Sequence, residues 1–200
     1  MKIFKLLNIA LLILFISACT SIPLKTMYHL AKTDFMTVDP AQLSAAIRAP
    51  NELQEGKEGI RMEFSSWLIN KKENAQTLKI KLEKVVDSEK LLPIKPYEKE
   101  NYTALLYKIP EKDIDRLKVF RKQQQKRKAL YGKKLKGSLS VGVSYCRTTK
   151  LTDKPILVST WMQVSKKTGL LPLMIDSDMQ QELKKEGASI DKILPLCEKK

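Results

Sequence analysis

Two stretches of alternating side chains place the strongest constraint on how this 200-residue chain can fold. Along residues 60–64, and again along 78–82, apolar side chains occupy every second position and charged ones lie between them. A period of two is typical of a β-strand with one face buried and the other in solvent. Since a polar stretch at 70–74 separates the two segments, we expect them to form a long antiparallel hairpin.

Much of the remaining chain also has the pattern of strands. Apolar or alternating runs, bounded by proline, glycine and polar residues, predict strands at 44–50, 102–109, 139–146, 156–164 and 170–175. Strands that follow one another in this way are typical of a mostly antiparallel sheet.

One long helix interrupts the strands at about 110–131. Pro110 suits the first turn, where its missing N–H is harmless. Glu111 and Asp113 are acidic residues in the same turn, where negative charge complements the helix dipole. Gly132 is a good terminator for the other end.

A second, short helix is expected near the C-terminus. It would be capped by Asp176 or Ser177 and would run to Glu186. The sequence therefore predicts an α+β fold, a mostly antiparallel sheet with one central helix and a short C-terminal one. The length of the segment 41–200 suits a single domain.

The N-terminus has the pattern of a secretory signal. Lys2 and Lys5 form a short basic region, and the apolar run at 9–16 leads into small residues. A basic region, an apolar core and a small-residue cleavage site mark a segment that is removed from the mature protein. We therefore assign 1–18 as a signal peptide.

The ending of this signal, Ile-Ser-Ala-Cys at 16–19, resembles the lipobox of bacterial lipoproteins. The resemblance implies cleavage between Ala18 and Cys19, with diacylglycerol and an acyl chain such as palmitate on Cys19. Because Thr20 and Ser21 follow the cysteine, with no aspartate there, it also implies the outer membrane and a body that faces the periplasm. The alternatives are an uncleaved anchor in the inner membrane and a soluble secreted form.

Residues 19–40 are interpreted as the lipid anchor with a short linker and helical segment. Leu24, Met27, Tyr28 and Leu30 fall near one face of that helix. We expect the segment either to pack on the body or to lie at the membrane surface.

Three further segments resemble the start of an uncharacterised proteobacterial lipoprotein family. They are IPLKTM at 22–27, DPAQL at 39–43 and IRAP at 47–50. The resemblance covers about the first 50 residues and implies no activity.

Two cysteines remain besides Cys19, namely Cys146 and Cys197. An even pair in an oxidising compartment favours a disulfide, which would fasten the C-terminal tail to the strand that carries Cys146. The alternative is two separate buried thiols.

The chain is strongly basic, with 37 Lys and Arg against 22 Asp and Glu, a net charge of +15. Such a charge suits an anionic lipid or an acidic envelope protein as partner, while export disfavours nucleic acid. The alternative is a solvated lysine-rich surface without a specific ligand. The densest cluster, the predicted anionic contact surface, consists of Arg116, Lys118, Arg121, Lys122, Lys126, Arg127, Lys128, Lys133, Lys134 and Lys136.

Catalytic and metal-binding patterns are missing from the sequence. His29 is the one histidine, and no nucleophile elbow, Cys/His pairing, zinc motif or phosphate-binding glycine loop is present. We therefore expect no enzyme, no cofactor and no metal. An envelope hydrolase with paired carboxylates is the remaining catalytic alternative.

These patterns lead to two hypotheses about function. The first is a membrane-anchored lipoprotein whose periplasmic domain binds or braces a partner without catalysis. The second is a periplasmic binding module for an anionic small ligand or lipid, which an apolar pocket ringed by basic residues would favour.

Overall fold

The fold consists of two antiparallel sheets and one long helix, so the predicted α+β class is confirmed. The computed structural model describes residues 22–35, 37–69, 71–150 and 152–198. The predicted signal peptide, its cleavage site and Cys19 lie outside these residues.

The described residues contain eight strands. They are β1 (Ser44–Pro50), β2 (Leu53–Leu68), β3 (Lys71–Lys81), β4 (Glu83–Lys84), β5 (Tyr102–Lys108), β6 (Leu135–Arg147), β7 (Leu157–Gln163) and β8 (Leu170–Asp178).

The three-stranded sheet has the order β3-β2-β6 and contains the predicted hairpin. Met62 on β2 lies opposite Ile80 on one side and Val141 on the other. The connection is shorter than the polar turn predicted at 70–74, because β3 already begins at Lys71, where it pairs with Leu68 across a bulge.

The five-stranded sheet has the order β4-β5-β1-β7-β8, with β1 at its centre. Alternate residues of β1 face two different apolar clusters. Ala45 and Ile47 join the main core between the sheets, together with Met62. Ala46 faces the opposite side, where it packs in a smaller cluster with Trp161.

The described residues also contain four α-helices. They are α1 (Leu24–Lys32), α2 (Glu111–Tyr131), α3 (Met179–Lys185) and α4 (Ile190–Ile193), with 3₁₀ segments at Pro40–Gln42, Glu89–Tyr97 and Gly132–Lys134. No helix among the described residues is long and apolar enough to cross a membrane.

The ends of two helices can be compared with the prediction. Pro110 precedes α2 and Gly132, at φ 52°, ends it, as the sequence indicates. The cap of α3 is Asp178 rather than Asp176 or Ser177, because β8 continues to Asp178 before the chain turns. The Asp178 carboxylate accepts a hydrogen bond from the backbone N–H of Gln180.

Candidate functional site

The C-terminal tail is fastened to the end of β6. Cys146 and Cys197 form the expected disulfide, with sulfur atoms 2.06 Å apart. The backbone N–H of Cys197 also donates to the carbonyl of Arg147 at 2.9 Å. The guanidinium of Arg147 in turn donates to the carbonyl of Leu194 at 2.8 Å and to the carboxylate of Asp191. The C-terminal tail is thus held to the end of β6 by hydrogen bonds and an ion pair as well as by the disulfide.

Helix α1 presents its apolar residues to the outside. Leu24, Met27 and Tyr28 are 80%, 45% and 57% exposed, while Thr26 is buried and Leu30 packs against the main core. The helix is therefore seated on the body by one face and leaves an uncovered apolar face on the other.

Most of the predicted anionic contact surface lies in solvent. Its exposed members are Arg116, Lys118, Lys122, Lys126, Lys128, Lys133, Lys134 and Lys136, and Arg127 is half-buried. Ion pairs engage Arg116 with Asp113 and Lys118 with Asp115. This leaves a basic strip along the outer face of α2 and the segment that follows it.

Arg121 departs from that surface. It is only 6% exposed, because it follows Leu117 by one helical turn and so faces inward with it. Its Nη1 donates to the carbonyl of Val38, and its guanidinium lies 6.0 Å from the ring centre of Phe64. Burial lowers the pKa of Arg121, while the carboxylates of Asp39 and Asp34 act in the opposite direction. The structure thus removes Arg121 from the predicted anionic contact surface.

A buried polar network fixes α2 to the three-stranded sheet. The Ser66 hydroxyl donates to the side-chain carbonyl of Gln124 at 2.6 Å, and the Gln124 amide donates to Gln76 at 2.8 Å. Arg127 donates to the Ser66 hydroxyl at 2.7 Å. Arg127, which is half-buried, thus belongs to this network.

A cavity of about 240 Å³ opens beside Arg121, between α2, the three-stranded sheet and the segment at 33–35. Phe35, Phe64 and Phe120 give it apolar walls, and Lys128 also lines it. It is thus an apolar pocket with basic residues in its lining, a feature that would favour the second hypothesis.

The sequence analysis did not identify this cavity. The spacing along α2 nonetheless indicated which side chains face the sheet, since Leu117, Arg121 and Gln124 lie at positions i, i+4 and i+7 of one helix face. Two of these three residues are polar, and the helix carries many charges. The sequence therefore favoured the interpretation that this face is exposed to solvent.

Two other residues whose side chains could take part in chemistry, Tyr107 and Tyr145, are buried. The Tyr107 hydroxyl donates to Glu55 at 3.1 Å. Burial raises the pKa of both Tyr107 and Tyr145, with the Glu55 charge adding to the effect, so both phenols stay protonated. Among the residues that the structure describes, no group of three or more His, Cys, Asp or Glu side chains could hold a metal ion.

Comparison of the chain with protein-family models, curated proteins and solved structures finds no match. The resemblance of the N-terminal segments to a lipoprotein family therefore stays a prediction.

Proposed function

We propose that this chain is a lipid-anchored protein of the bacterial envelope, attached to the outer membrane through Cys19 and facing the periplasm. Its body contacts a partner and catalyses no reaction. The signal pattern at 1–18 and the cysteine at its end are the sequence basis for the anchor.

The observation that carries this proposal is the position and orientation of α1. The helix begins five residues after Cys19 and exposes Leu24, Met27 and Tyr28. Acyl chains on Cys19 would hold this apolar face at the membrane interface, where such side chains enter the boundary between headgroups and acyl chains. Lys25 and Lys32 flank the face with positive charge, which complements anionic lipid.

The disulfide supports an exported location. Structural disulfides persist in oxidising compartments, and the bacterial periplasm is one of them. The Cys146–Cys197 bond closes a separation of 51 residues and so fits a protein that matures outside the cytosol.

The basic strip is the proposed contact surface of the body. Lys122, Lys126, Lys133, Lys134 and Lys136 have no carboxylate within 4.0 Å among the described residues. Unpaired cations of this kind favour an anionic lipid surface or an acidic envelope protein.

The test is the intact mass of the protein extracted from membranes, for the wild type and for Cys19→Ser. We expect the wild type to lose residues 1–18 and to gain acyl mass, and the variant to lack the acyl mass. Alkylation with and without reductant reports the pairing of Cys146 and Cys197 in the same spectra. An unmodified precursor mass would overturn the proposal, and density separation of the two membranes decides between outer and inner.

A further inference from the structure

Strand β6 forms one edge of the three-stranded sheet, with β2 on its other side. It is 13 residues long, and the ten residues at 137–146 carry no charge. A long, uncharged edge strand is a template for pairing with another chain, and proteins usually protect such an edge. The outer edge of β6 therefore requires an explanation.

The hydrogen bonds at the end of β6 show which backbone groups point away from β2. The N–H of Thr148 donates towards β2, to the carbonyl of Glu52 at 2.8 Å, whereas Arg147 bonds to the C-terminal tail through both its N–H and its carbonyl. Because these directions alternate from residue to residue in an antiparallel pair, every second residue before Arg147 also points outward. Along the open part of the edge these residues are Leu139, Val141 and Val143, and among the described residues their backbone groups have no partner on that side.

The other three edges of the two sheets are protected. Arg116 and Arg127 on α2 donate to backbone carbonyls of β3 at 3.2 and 3.3 Å. Strand β4 has only two residues, and β8 contains Pro172 and contacts α1. Short strands, prolines and covering elements are the usual means of blocking an edge, and β6 has no proline or charge along 137–146.

Open space lies beside the edge of β6. The cavity beside α2 borders its first part at 135–139, and an open groove of about 930 Å³ borders its last part at 143–146. The far end of the edge already accepts another segment, because Leu196 in the tail forms a parallel bridge with Arg147. The tail stops there and leaves 137–145 for a further strand.

The charges next to the edge favour an acidic occupant. Lys133, Lys134 and Lys136 lie where β6 begins, and they are exposed. None of the three has a carboxylate within 4.0 Å among the described residues. In an added antiparallel strand, the residues that reach these lysines are those at its C-terminal end. The complementary segment is therefore neutral along most of its length and acidic at that end.

A second copy of this chain fits the edge less well. If two β6 strands paired about Val141, Leu135 of one copy would need the outer edge of Arg147 in the other, which the tail occupies. Each copy also carries a net charge of +15, so the two would repel each other. A lipid surface lacks the backbone donors and acceptors that continue a ladder of hydrogen bonds.

We propose that the outer edge of β6 binds an extended segment of a partner protein as an added antiparallel strand. Backbone hydrogen bonds to Leu139, Val141 and Val143 hold the segment, and acidic residues at its C-terminal end lie beside the lysines at 133–136. This inference rests on the proposed contact role of the body and names the class of partner. It fails separately from the anchor, because mass spectrometry decides the anchor and peptide binding decides the edge.

The test uses the full chain purified from membranes, with the blocked peptide Thr-Val-Thr-Val-Thr-Val-Thr-Glu-Glu-Glu as the probe. A second peptide carries the three glutamates at its N-terminal end, and a third is N-methylated at its seven neutral residues. Fluorescence anisotropy of labelled peptide measures the affinity. We expect the first peptide to bind saturably and at least about threefold more tightly than the second, because only its glutamates reach the lysines. The third should not bind, since it lacks backbone donors.

Hydrogen exchange of the ¹⁵N-labelled chain locates the peptide. The amides of Leu139, Val141 and Val143 should exchange at least about tenfold more slowly when the peptide is bound. The amides of Ser140 and Gly142 point to β2 and should change little.

Variants separate the backbone edge from the charge beside it. Val141→Pro removes an outward N–H without removing a bond to β2, and it should weaken binding at least about tenfold. Lys134→Gln with Lys136→Gln should weaken binding about threefold or more. The matched control, Lys122→Gln with Lys126→Gln, removes two exposed cations of α2 and should change the affinity less. Circular dichroism checks that each variant is folded.

The wild-type measurements alone keep the proposal falsifiable if Val141→Pro fails to fold. It would be overturned if the first peptide did not bind, or if it bound without slowing exchange along 139–143. Equal binding of the first and third peptides would also overturn it. A dimer in sedimentation equilibrium that protects the same amides without peptide would assign the edge to a second copy instead.

Discussion

At the scale of single residues, one buried amide determines how α2 meets the three-stranded sheet. Gln124 is fully buried, accepts from Ser66 and donates to Gln76. Each of these groups depends on the others for its hydrogen bonds, and a buried polar atom that loses its partner keeps the full cost of its desolvation.

Gln124→Ala should therefore lower the free energy of unfolding by about 1–3 kcal/mol. Chemical denaturation measures the loss, and Gln125→Ala, at the exposed neighbouring position, is the matched control. Equal stabilities of the two variants would show that the network contributes nothing.

A second residue-scale prediction concerns pH. A hydrogen bond from Arg61 at 2.6 Å lowers the pKa of Glu63 below the ordinary 4.5, with Lys79 acting in the same direction and partial burial opposing it. A lowered pKa in the folded state means that the ionised carboxylate stabilises the fold above pH 4.5. That contribution is lost as the pH falls through the lowered value.

Glu63→Gln should thus be less stable than the wild type at neutral pH, by up to about 1 kcal/mol for a partly exposed pair. The difference should shrink in acid, below the ordinary pKa of 4.5. Urea denaturation at a series of pH values measures it, and a difference that does not vary with pH would contradict the assignment.

The sequence identified some individual residues well and others poorly. The pairing of Cys146 with Cys197 followed from their number and the predicted compartment. The burial of Arg121 did not follow, because charged side chains on a helix are usually exposed. Arg121 is an exception, since it lies one helical turn from a leucine of the core.

At the scale of the element, the C-terminal tail depends on both covalent and polar attachment. The disulfide closes a separation of 51 residues, while Arg147 holds the carbonyl of Leu194 and the carboxylate of Asp191. The second set of contacts does not require the sulfur bond.

Replacing both cysteines, as Cys146→Ala with Cys197→Ala, should lower the free energy of unfolding by about 2–4 kcal/mol. The reason is the greater conformational freedom of the unfolded chain. Denaturation midpoints measure the loss, and reductant should lower the midpoint of the wild type without affecting the variant. A wild-type midpoint insensitive to complete reduction would argue against this account.

Helix α1 offers a second prediction at this scale. If the helix lies at the membrane interface, a tryptophan introduced by Leu24→Trp should be quenched by lipids brominated in the acyl chain. Val119→Trp, at an exposed apolar position on α2, is the control and should be quenched less. Quenching is measured in vesicles, with the two native tryptophans as background, and equal quenching at both positions would contradict the orientation of α1.

Elements with local patterns were predicted more successfully than pairings between distant segments. The β2–β3 hairpin follows from two alternating runs that are close in the chain. The extent of β8 and the cap of α3 were misjudged, because Asp176 and Ser177 favour turns in sequence but here complete a strand.

At the scale of the whole molecule, the order of the strands could not have been predicted. Ser44 on β1 pairs with Lys108 on one side and Gln163 on the other, both far along the chain. Such pairings depend on which faces fit together in three dimensions, and no short-range pattern encodes them. The cavity beside Arg121 was hidden for the same reason, since α2 and the sheet that border it come from separate parts of the chain.

The central position of β1 has a consequence for cooperativity. Because Ala45 and Ala46 face opposite clusters, both clusters lose a wall if β1 leaves the sheet. Native-state hydrogen exchange should therefore give β1, β5 and β7 the same free energy of opening, within about 1 kcal/mol, as one foldon. A lower value for β5 alone would mean that the outer cluster opens independently. On this account, strand β1 makes the two sides of the sheet a single thermodynamic unit.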